Sequence, residues 1–275
     1  YKDFIEEVEE VLSGRINKYK KASDYEIDTN DKSIEQVSVE ILEILNYESI
    51  KLKIAVTVIE NTTKKAIERL NKIQNQSNLI ELRIDYIQDI NSENLVKILN
   101  SVKKPVIVTN RIRQEGGKFK GTEQERIELL KKAIELNVDY IDVEFQVGSK
   151  TIEKLKDKCR NTKIICSYHN FKKTPDNLYE TYKKIKITSC DIIKIACMGN
   201  SYKDNLKMFD LIQKAKKENV EIIGLIMGKY GKMSRVLSSF FGSYITTYAP
   251  IEEENKFVPG HMTFQEVENI FNKLK

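Results

Sequence analysis

The stretch 191–219 reads DIIKIACMGNSYKDNLKMFDLIQKAKKEN and combines a short apolar run with a longer amphipathic segment. Its first part, 191–198, is rich in aliphatic and β-branched residues and predicts a strand. The segment 204–219 spaces its apolar residues as a helix does when it buries one face. A strand followed by such a helix is the repeating unit of proteins with a parallel sheet. The stretch therefore predicts a βα unit.

The same unit recurs along the chain from residue 51 onward. Strand-like runs follow one another at intervals of about 25 to 30 residues, each trailed by a Lys- and Glu-rich helical pattern. Eight consecutive units predict a closed (β/α)8 TIM barrel, whose active site lies at the carboxyl ends of the strands. The competing open sheet usually has a Gly-rich turn after its first strand, and IENTT at 59–63 contains no glycine. The predicted strands cover 54–59, 79–86, 105–111, 138–145, 163–171, 191–198, 220–228 and 240–248.

Residues 1–47 do not follow this rhythm. Helical spacing predicts a first helix, DYEIDT at 24–29 alternates like a strand, and Ser33 with Gln36 predicts a capping box at the start of a second helix. We therefore expect a short N-terminal α-β-α extension before a barrel domain over 51–275. A lone strand leaves its backbone groups unpaired, so this extension is expected to join the sheet of an upstream domain or to pack on the barrel.

Composition and charge exclude several classes of protein. The 275 residues are 40% hydrophobic and 32% charged, which is a globular mixture. The net charge of +5 is spread over alternating Lys and Glu, which argues against nucleic acid as a partner. No apolar run approaches the roughly 18 residues that cross a bilayer, so no membrane association is expected. The opening YKDFIEEVEE lacks a signal-peptide core, and the chain is interpreted as part of a longer polypeptide.

The four cysteines form no C-x-x-C pair and lie in or near strand-like runs. They are therefore predicted to be buried or half-buried free thiols in a reducing, cytoplasmic compartment.

Charged side chains interrupt the apolar strands. Alternate residues of a strand point to opposite faces, and the apolar face must meet the helices, so the charged residues are predicted to point into the barrel. A single Glu–Arg pair there is more often structural, and a strand-end histidine alone is more often a packing residue. Convergence of all of them on one end of a barrel favours a catalytic site. The predicted inward-facing set is Glu81, Arg83, Asp85, Arg111, His169 and Lys194.

This set predicts carbonyl chemistry. Lys194, buried near a guanidinium, would be a neutral amine and hence a nucleophile for a ketone. The resulting iminium acidifies the adjacent C–H, whose proton His169 could take and return to a leaving hydroxyl, with Glu115 orienting the imidazole. Arg235 supplies a fork for a carboxylate. The prediction is Schiff-base dehydration or aldol cleavage of an anionic keto acid.

Several motifs appear in an order that characterises one enzyme family. They are ELRID at 81–85, TNRIRQEGGKFKGTE at 109–123, SYHNF at 167–171, KIACM at 194–198, GKYGKMSR at 228–235, FGSYITTYA at 241–249 and VPGH at 258–261. Over about 51–275 the chain thus resembles type I 3-dehydroquinate dehydratase, a lyase of the shikimate pathway that converts 3-dehydroquinate to 3-dehydroshikimate.

The resemblance implies a role for each matching residue. Lys194 corresponds to the Schiff-base lysine, His169 to the general acid/base and Glu115 to the carboxylate that assists it. Residues implied to bind substrate are Glu81, Arg83, Arg111 and Arg235, together with the lid residues Phe257 and His261, which replace the family's Ser and Gln. The family's H-D-F is H-N-F here, with Asn170. No metal and no cofactor is implied.

The N-terminal segment carries a second resemblance. Through SGRINKYKKASDYEIDT at 13–29 it is similar to the C-terminal end of shikimate kinase, although the kinase's phosphate-binding loop is absent. The order resembles multifunctional fusion polypeptides. The implied partners are the substrate, a second copy in a homodimer and an upstream kinase domain. Two alternatives stay open: a class I Schiff-base aldolase, and a catalytically weak barrel within a fusion protein.

Overall fold

The computed structural model describes residues 4–23, 25–34, 36–37, 40, 52–252 and 260–274. The chain divides into two compact units, 1–51 and 52–275. Within the described ranges, no helix is long and apolar enough to cross a membrane. Cys166 and Cys197 are buried, Cys159 and Cys190 are half-buried, and all four are free thiols, so the prediction of buried or half-buried free thiols is confirmed.

The first unit contains helix α1 (Phe4–Ala22). The predicted capping box is present, because Ser33 N donates to Gln36 Oε1 at 2.7 Å and Gln36 N donates to Ser33 Oγ at 3.3 Å. The strand predicted at 24–29 is wrong over 25–29, which belong to no strand. A strand needs a neighbour for its backbone groups, and the described part of this unit contains no other strand.

The second unit is the predicted TIM barrel. Its strands form one eight-stranded parallel sheet in the order β7-β6-β5-β4-β3-β2-β1-β8. The strands are β1 (Ile54–Val58), β2 (Leu79–Arg83), β3 (Val106–Thr109), β4 (Tyr140–Glu144), β5 (Lys163–Asn170), β6 (Ile192–Met198), β7 (Ile222–Met227) and β8 (Thr247–Ala249). The helices that follow are α2 (Thr63–Ile73), α3 (Ser92–Asn100), α4 (Glu123–Glu135), α5 (Ser149–Lys156), α6 (Leu178–Lys186), α7 (Lys203–Lys217), α8 (Ser234–Leu237) and α9 (Phe264–Leu274).

Two apolar layers confirm the alternation predicted from the strands. Inward-facing Ile107, Ile165 and Ile192 belong to a small cluster inside the barrel. Their neighbours Val108 and Cys166 belong to the larger cluster between sheet and helices. Charged residues in register with the inner cluster therefore point into the barrel.

The barrel closes through β1 and β8, with Ile54 opposite Thr247. Beside that pair, Thr246 N donates to Lys53 O at 2.8 Å and Lys53 N donates to Thr246 Oγ1 at 3.1 Å. Strands β7 and β8 are not neighbours in the sheet. A backbone hydrogen bond of 2.7 Å from Tyr244 N to Ile222 O joins the two sides there.

The last strand is shorter than predicted. The range 240–248 was expected to be extended, but Ser238–Phe241 forms a 3-10 turn that continues from α8. Phe241 stacks on Phe209 of α7 at 4.2 Å between ring centroids, and Phe240 packs against Phe271 of α9 at 5.1 Å. These aromatic side chains are thus part of the helical layer.

Candidate active site

A cavity of about 320 Å³ opens at the carboxyl ends of the strands. Every predicted site residue that lies in the described ranges, except Asp85, lines it. These residues are Glu81, Arg83, Arg111, Glu115, His169, Lys194, Arg235 and His261. Phe257 lies outside the described residues. The fold therefore brings together side chains that are far apart along the chain.

Lys194 lies in the middle of β6, with Ser167 of β5 beside it. Its side chain is almost completely buried, and Nζ lies 2.9 Å from Asp142 Oδ2 and 3.9 Å from Glu81 Oε1. Nζ also lies 3.6 Å from the centroid of the Tyr248 ring. The direct partner of the amine is therefore a carboxylate, while Arg83 and Arg111, the guanidinium groups predicted to lie near it, line the same cavity.

Asp142 connects the lysine to Arg111. Its Oδ2 also lies 2.9 Å from Arg111 Nη2, and its Oδ1 accepts a hydrogen bond of 2.6 Å from Ser167 Oγ. Burial alone would raise the pKa of Asp142, but Arg111 and Lys194 outweigh burial and hold this pKa well below its usual value. The carboxylate stays ionised and fixes both cations.

Glu81 is held by two threonines, because Thr57 Oγ1 and Thr109 Oγ1 each donate to its carboxylate at 3.1 Å. Arg83 Nε and Nη2 form a two-pronged pair with Asp85 at 2.9 Å each. Asp85 was predicted to point into the barrel, but it does not line the cavity. The reason is that β2 ends at Arg83 and the chain then enters a 3-10 turn, Ile84–Tyr86. It orients Arg83 instead.

His169 and Glu115 form a pair at the mouth of the cavity. His169 Nδ1 lies 2.7 Å from Glu115 Oε2, and Gln146 Nε2 donates to Glu115 Oε1 at 2.8 Å. Burial raises the pKa of Glu115 to about 7 against the opposing effect of Arg111. Burial, followed by Arg111 and Lys194, lowers the pKa of His169 well below its usual value. The imidazole is therefore neutral at neutral pH, with Glu115 on one ring nitrogen.

The turn that carries Glu115 leaves β3 through a tightly packed segment. Ile112 N donates to Glu144 Oε1 at 3.0 Å, after which Arg113–Glu115 forms a 3-10 turn. Gly117 N then donates to Ile112 O at 2.8 Å. A Cβ on Gly117 would lie 1.8 Å from Arg111 O, so only glycine fits there.

Arg235 lies in α8 and is 2% exposed. Its Nη1 donates to Thr247 Oγ1 at 3.1 Å and to Tyr248 O at 3.3 Å. Within the described ranges no carboxylate forms an ion pair with it, and burial lowers its pKa to about 10. A buried cation without a counter-charge is suited to bind an anionic ligand.

Comparison with known proteins places this constellation in a family. The family described as type I 3-dehydroquinase matches residues 54–275. The chain belongs to the type I 3-dehydroquinases. The predicted resemblance of the barrel is therefore confirmed, as is its assignment to the hydro-lyases. The predicted resemblance of 1–47 to shikimate kinase stays a prediction.

Three relatives of this type I 3-dehydroquinase illustrate the likeness. It is 36% identical over 225 residues to the 3-dehydroquinate dehydratase of Methanocaldococcus jannaschii, covering 80% of this chain and 98% of that protein. It is 35% identical over 222 residues to the chloroplastic bifunctional 3-dehydroquinate dehydratase/shikimate dehydrogenase of Arabidopsis thaliana, covering 79% of this chain and 36% of that protein. The solved type I 3-dehydroquinate dehydratase from Clostridium difficile, with covalently modified comenic acid, matches with a TM-score of 0.73 at 26% identity, covering 82% of this chain and 92% of that one.

Of the three positions that were predicted to depart from the family pattern, Asn170 and His261 lie in the described ranges. Asn170 Oδ1 accepts hydrogen bonds of 3.0 Å from Lys172 N and Lys173 N, so it caps the turn after β5. His261 lines the cavity next to Gly260, where a Cβ would lie 2.1 Å from Gly228 O. This close approach places Gly260 directly against the loop after β7.

Sequence reasoning missed Asp142 and Glu144 of this 3-dehydroquinase. Both lie in YIDVEF at 140–145, where the outward-facing Ile141 and Val143 alternate with them. This alternation is the signal that identified ELRID at 81–85, so the same parity argument could have found them.

Proposed function

We propose that the barrel dehydrates 3-dehydroquinate to 3-dehydroshikimate through a Schiff base on Lys194. One observation carries the proposal: the buried amine shares a single cavity with the His169–Glu115 pair and with the guanidinium of Arg235, which has no carboxylate partner within the described ranges. The three features together supply a nucleophile, a proton carrier and a site for the carboxylate of the substrate.

Substrate binding rests on fixed polar groups. Arg235 pairs with the substrate carboxylate, which supplies the counter-charge that the buried guanidinium lacks. Glu81, Arg83 and Arg111 hold the ring hydroxyls, and each of them is already oriented by protein partners. His261 lines the cavity, and it and Phe257 stand at the positions where the family has Gln and Ser. Phe257 offers no hydrogen bond, so binding relies more heavily on the other contacts.

The first chemical stage forms the Schiff base. The Lys194 amine adds to the ring ketone, and loss of one water gives an iminium cation. The ionised carboxylate of Asp142, 2.9 Å from Nζ at rest, stabilises this positive charge. The iminium withdraws electrons from the neighbouring C–H bond.

The second stage removes the hydroxyl. The ring nitrogen of His169 that does not contact Glu115 takes the proton from the carbon next to the iminium, and the electron pair of that C–H bond moves onto the nitrogen. The enamine expels the hydroxyl one carbon further along, and protonated His169 returns its proton so that water leaves. Water then hydrolyses the imine and frees Lys194. Hydrolysis consumes one water, which offsets the water released when the imine formed, so the net reaction converts 3-dehydroquinate to 3-dehydroshikimate and one water.

Borohydride trapping tests the mechanism. Reduction in the presence of 3-dehydroquinate is expected to add one reduced ligand to the wild-type mass, located on Lys194 by peptide mapping. Lys194→Met should take up no ligand, whereas Lys232→Met, which removes an exposed lysine, should behave as wild type. His169→Ala should form the adduct and release almost no product. Dehydration without any adduct would refute the mechanism, cleavage into two fragments would identify an aldolase, and neither adduct nor product would identify a silent barrel.

We also propose the wider setting that the sequence predicts: a cytoplasmic protein and a homodimer, with residues 1–47 as the end of a kinase-like region. The bifunctional plant relative, of which this chain spans 36%, supports a fused arrangement. Light scattering on the purified chain tests the dimer, since a monomer mass at micromolar concentration would contradict it.

A further inference from the structure

One of the largest fully buried side chains of the barrel is a charged one on the helical layer. Arg126 of α4 is 2% exposed and does not line the cavity. Its Nε and Nη2 each donate to a different carboxylate oxygen of Glu123 at 2.8 Å. Its Nη1 donates to Asn110 O and lies 2.9 Å from Glu144 Oε2. The guanidinium therefore reaches from the helix to the end of β3 and to β4.

Glu144 passes this contact on to the cavity. The residue is 0% exposed, and its second oxygen, Oε1, accepts hydrogen bonds from Arg111 Nη1 at 3.1 Å and from Ile112 N at 3.0 Å. One carboxylate thus has one oxygen on the outer guanidinium and the other on an arginine that lines the cavity. Ile112 begins the turn that presents Glu115.

We propose that Arg126 is a positioning residue for the reaction: through Glu144 and Asn110 it fixes Arg111 and the turn that carries Glu115, and so sets the His169–Glu115 pair. This inference rests on the function proposed above.

Charge gives a second reason for the role of Arg126. Glu115 is faced by Arg111, Glu144 and Asp142 as well as by His169. Arg111 lowers its pKa, whereas burial, Glu144 and Asp142 raise it. Without the Arg126 cation, the negative charge of the Glu144 carboxylate is balanced less well, and Arg111 is drawn towards Glu144 and away from Glu115. Both effects favour the protonated form of Glu115, which cannot hold the His169 proton on Nδ1.

The experiment compares four variants of the full chain. Arg126→Met removes the cation, Arg126→Lys keeps it, and Glu123→Gln weakens only the outer, exposed anchor. Lys131→Met is the matched control, because it removes a cation of α4 that, among the residues the structure describes, is ion-paired only with Glu128, at 2.6 Å on the surface. For Arg126→Met we expect kcat to fall about 10- to 100-fold, as for a small displacement of a catalytic group. We expect KM to rise by a smaller factor than kcat falls, because Arg111 also holds a ring hydroxyl of the substrate.

The pH profile separates positioning from stability. In Arg126→Met the acid limb of kcat/KM should move to higher pH, by about half a unit or more. Arg126→Lys should restore most of kcat and return the acid limb to near its wild-type pH. Lys131→Met should match wild type in both measurements. A limb that stays in place in Arg126→Met overturns the inference even if the melting temperature falls.

Glu123→Gln decides the matter if Arg126→Met does not fold. The acid limb of its kcat/KM profile should also move to higher pH, by less than in Arg126→Met. An acid limb that stays at the wild-type pH overturns the inference. Failure of the underlying function gives a different result, because wild type itself would then form neither a borohydride adduct nor product.

Discussion

Arg235 shows at the residue scale how binding opposes stability. Burying an ion that has no counter-charge costs several kcal/mol of desolvation. Arg235 has no ion-pair partner in the part of the chain that the structure describes, and burial lowers its pKa to about 10. Arg235→Leu is therefore expected to raise the melting temperature and to raise KM about 100-fold or more, since the substrate carboxylate loses its charged partner. Calorimetry and steady-state kinetics check this. Arg160→Leu, which removes an exposed arginine, should change neither value. An unchanged KM in Arg235→Leu would move the carboxylate site elsewhere.

Glu115 predicts the pH dependence of the reaction. Its carboxylate must be ionised to hold the His169 proton on Nδ1, and its pKa is raised to about 7. Activity should therefore fall as pH decreases through about 7. Glu115→Gln cannot ionise, so it should lose this limb and show kcat lowered about 100-fold or more. Stopped assays from pH 5.5 to 9 measure both. If activity of Glu115→Gln still falls as pH decreases through about 7, the titrating group is not Glu115.

The same pKa has a consequence for stability. The folded value lies above that of the unfolded chain, so the contribution of Glu115 to stability is full at pH below 4.5 and is lost as pH rises towards about 7.

Individual site residues differ in how far the sequence could predict them. Lys194, His169 and Glu81 could be predicted, because each interrupts an apolar strand at a position that points into the barrel. Arg126 was not, since on an amphipathic helix an arginine next to acidic residues is indistinguishable from a solvated one. The pairing of Lys194 with Asp142 needed the register of β4, β5 and β6, which a single sequence does not contain.

At the scale of elements, the turn after β3 depends on one glycine. A Cβ on Gly117 would lie 1.8 Å from Arg111 O and 2.8 Å from Ile112 O, so backbone must move to accept it. Gly117→Ala is expected to displace Glu115 and to lower kcat about 10- to 100-fold while the barrel stays folded. Kinetics and circular dichroism check this. Gly14→Ala, in α1 with open space around the glycine, should have no effect. Wild-type kcat in Gly117→Ala would show that the turn adapts.

The elements themselves were largely predictable. Strands β1 to β7 lie within the predicted ranges. Strand β8 begins later than predicted and extends one residue further. Aromatic residues favour strands, but the aromatic pair at 240–241 packs on α7 and α9, contacts that only the folded barrel supplies. The strand predicted at 24–29 is wrong over 25–29 because alternation of polar and apolar residues does not by itself supply a neighbouring strand.

At the scale of the whole molecule, the candidate site lies in one unit. Every residue that lines the described cavity lies between 52 and 275. Deletion of residues 1–47 should therefore leave kcat and KM unchanged and give a barrel with a single melting transition. Kinetics on the truncated chain test this. A large loss of turnover in a barrel that is still folded would mean that the first unit completes the site.

Closure of the barrel through β1 and β8 sets when activity can appear during translation. The contact between Lys53 and Thr246 spans 193 residues, so closing it costs about 2 kcal/mol more chain entropy than closing one βα unit. The Arg235 guanidinium is anchored by Thr247 and Tyr248, which leave the ribosome after all the catalytic residues. A nascent chain arrested so that only residues up to 240 have emerged should therefore carry Lys194 and yet give no borohydride adduct with 3-dehydroquinate. One arrested with residue 274 exposed should give it, so the barrel would stay inactive until its last strand has emerged. Equal trapping in both arrested chains would show that ring closure is not required.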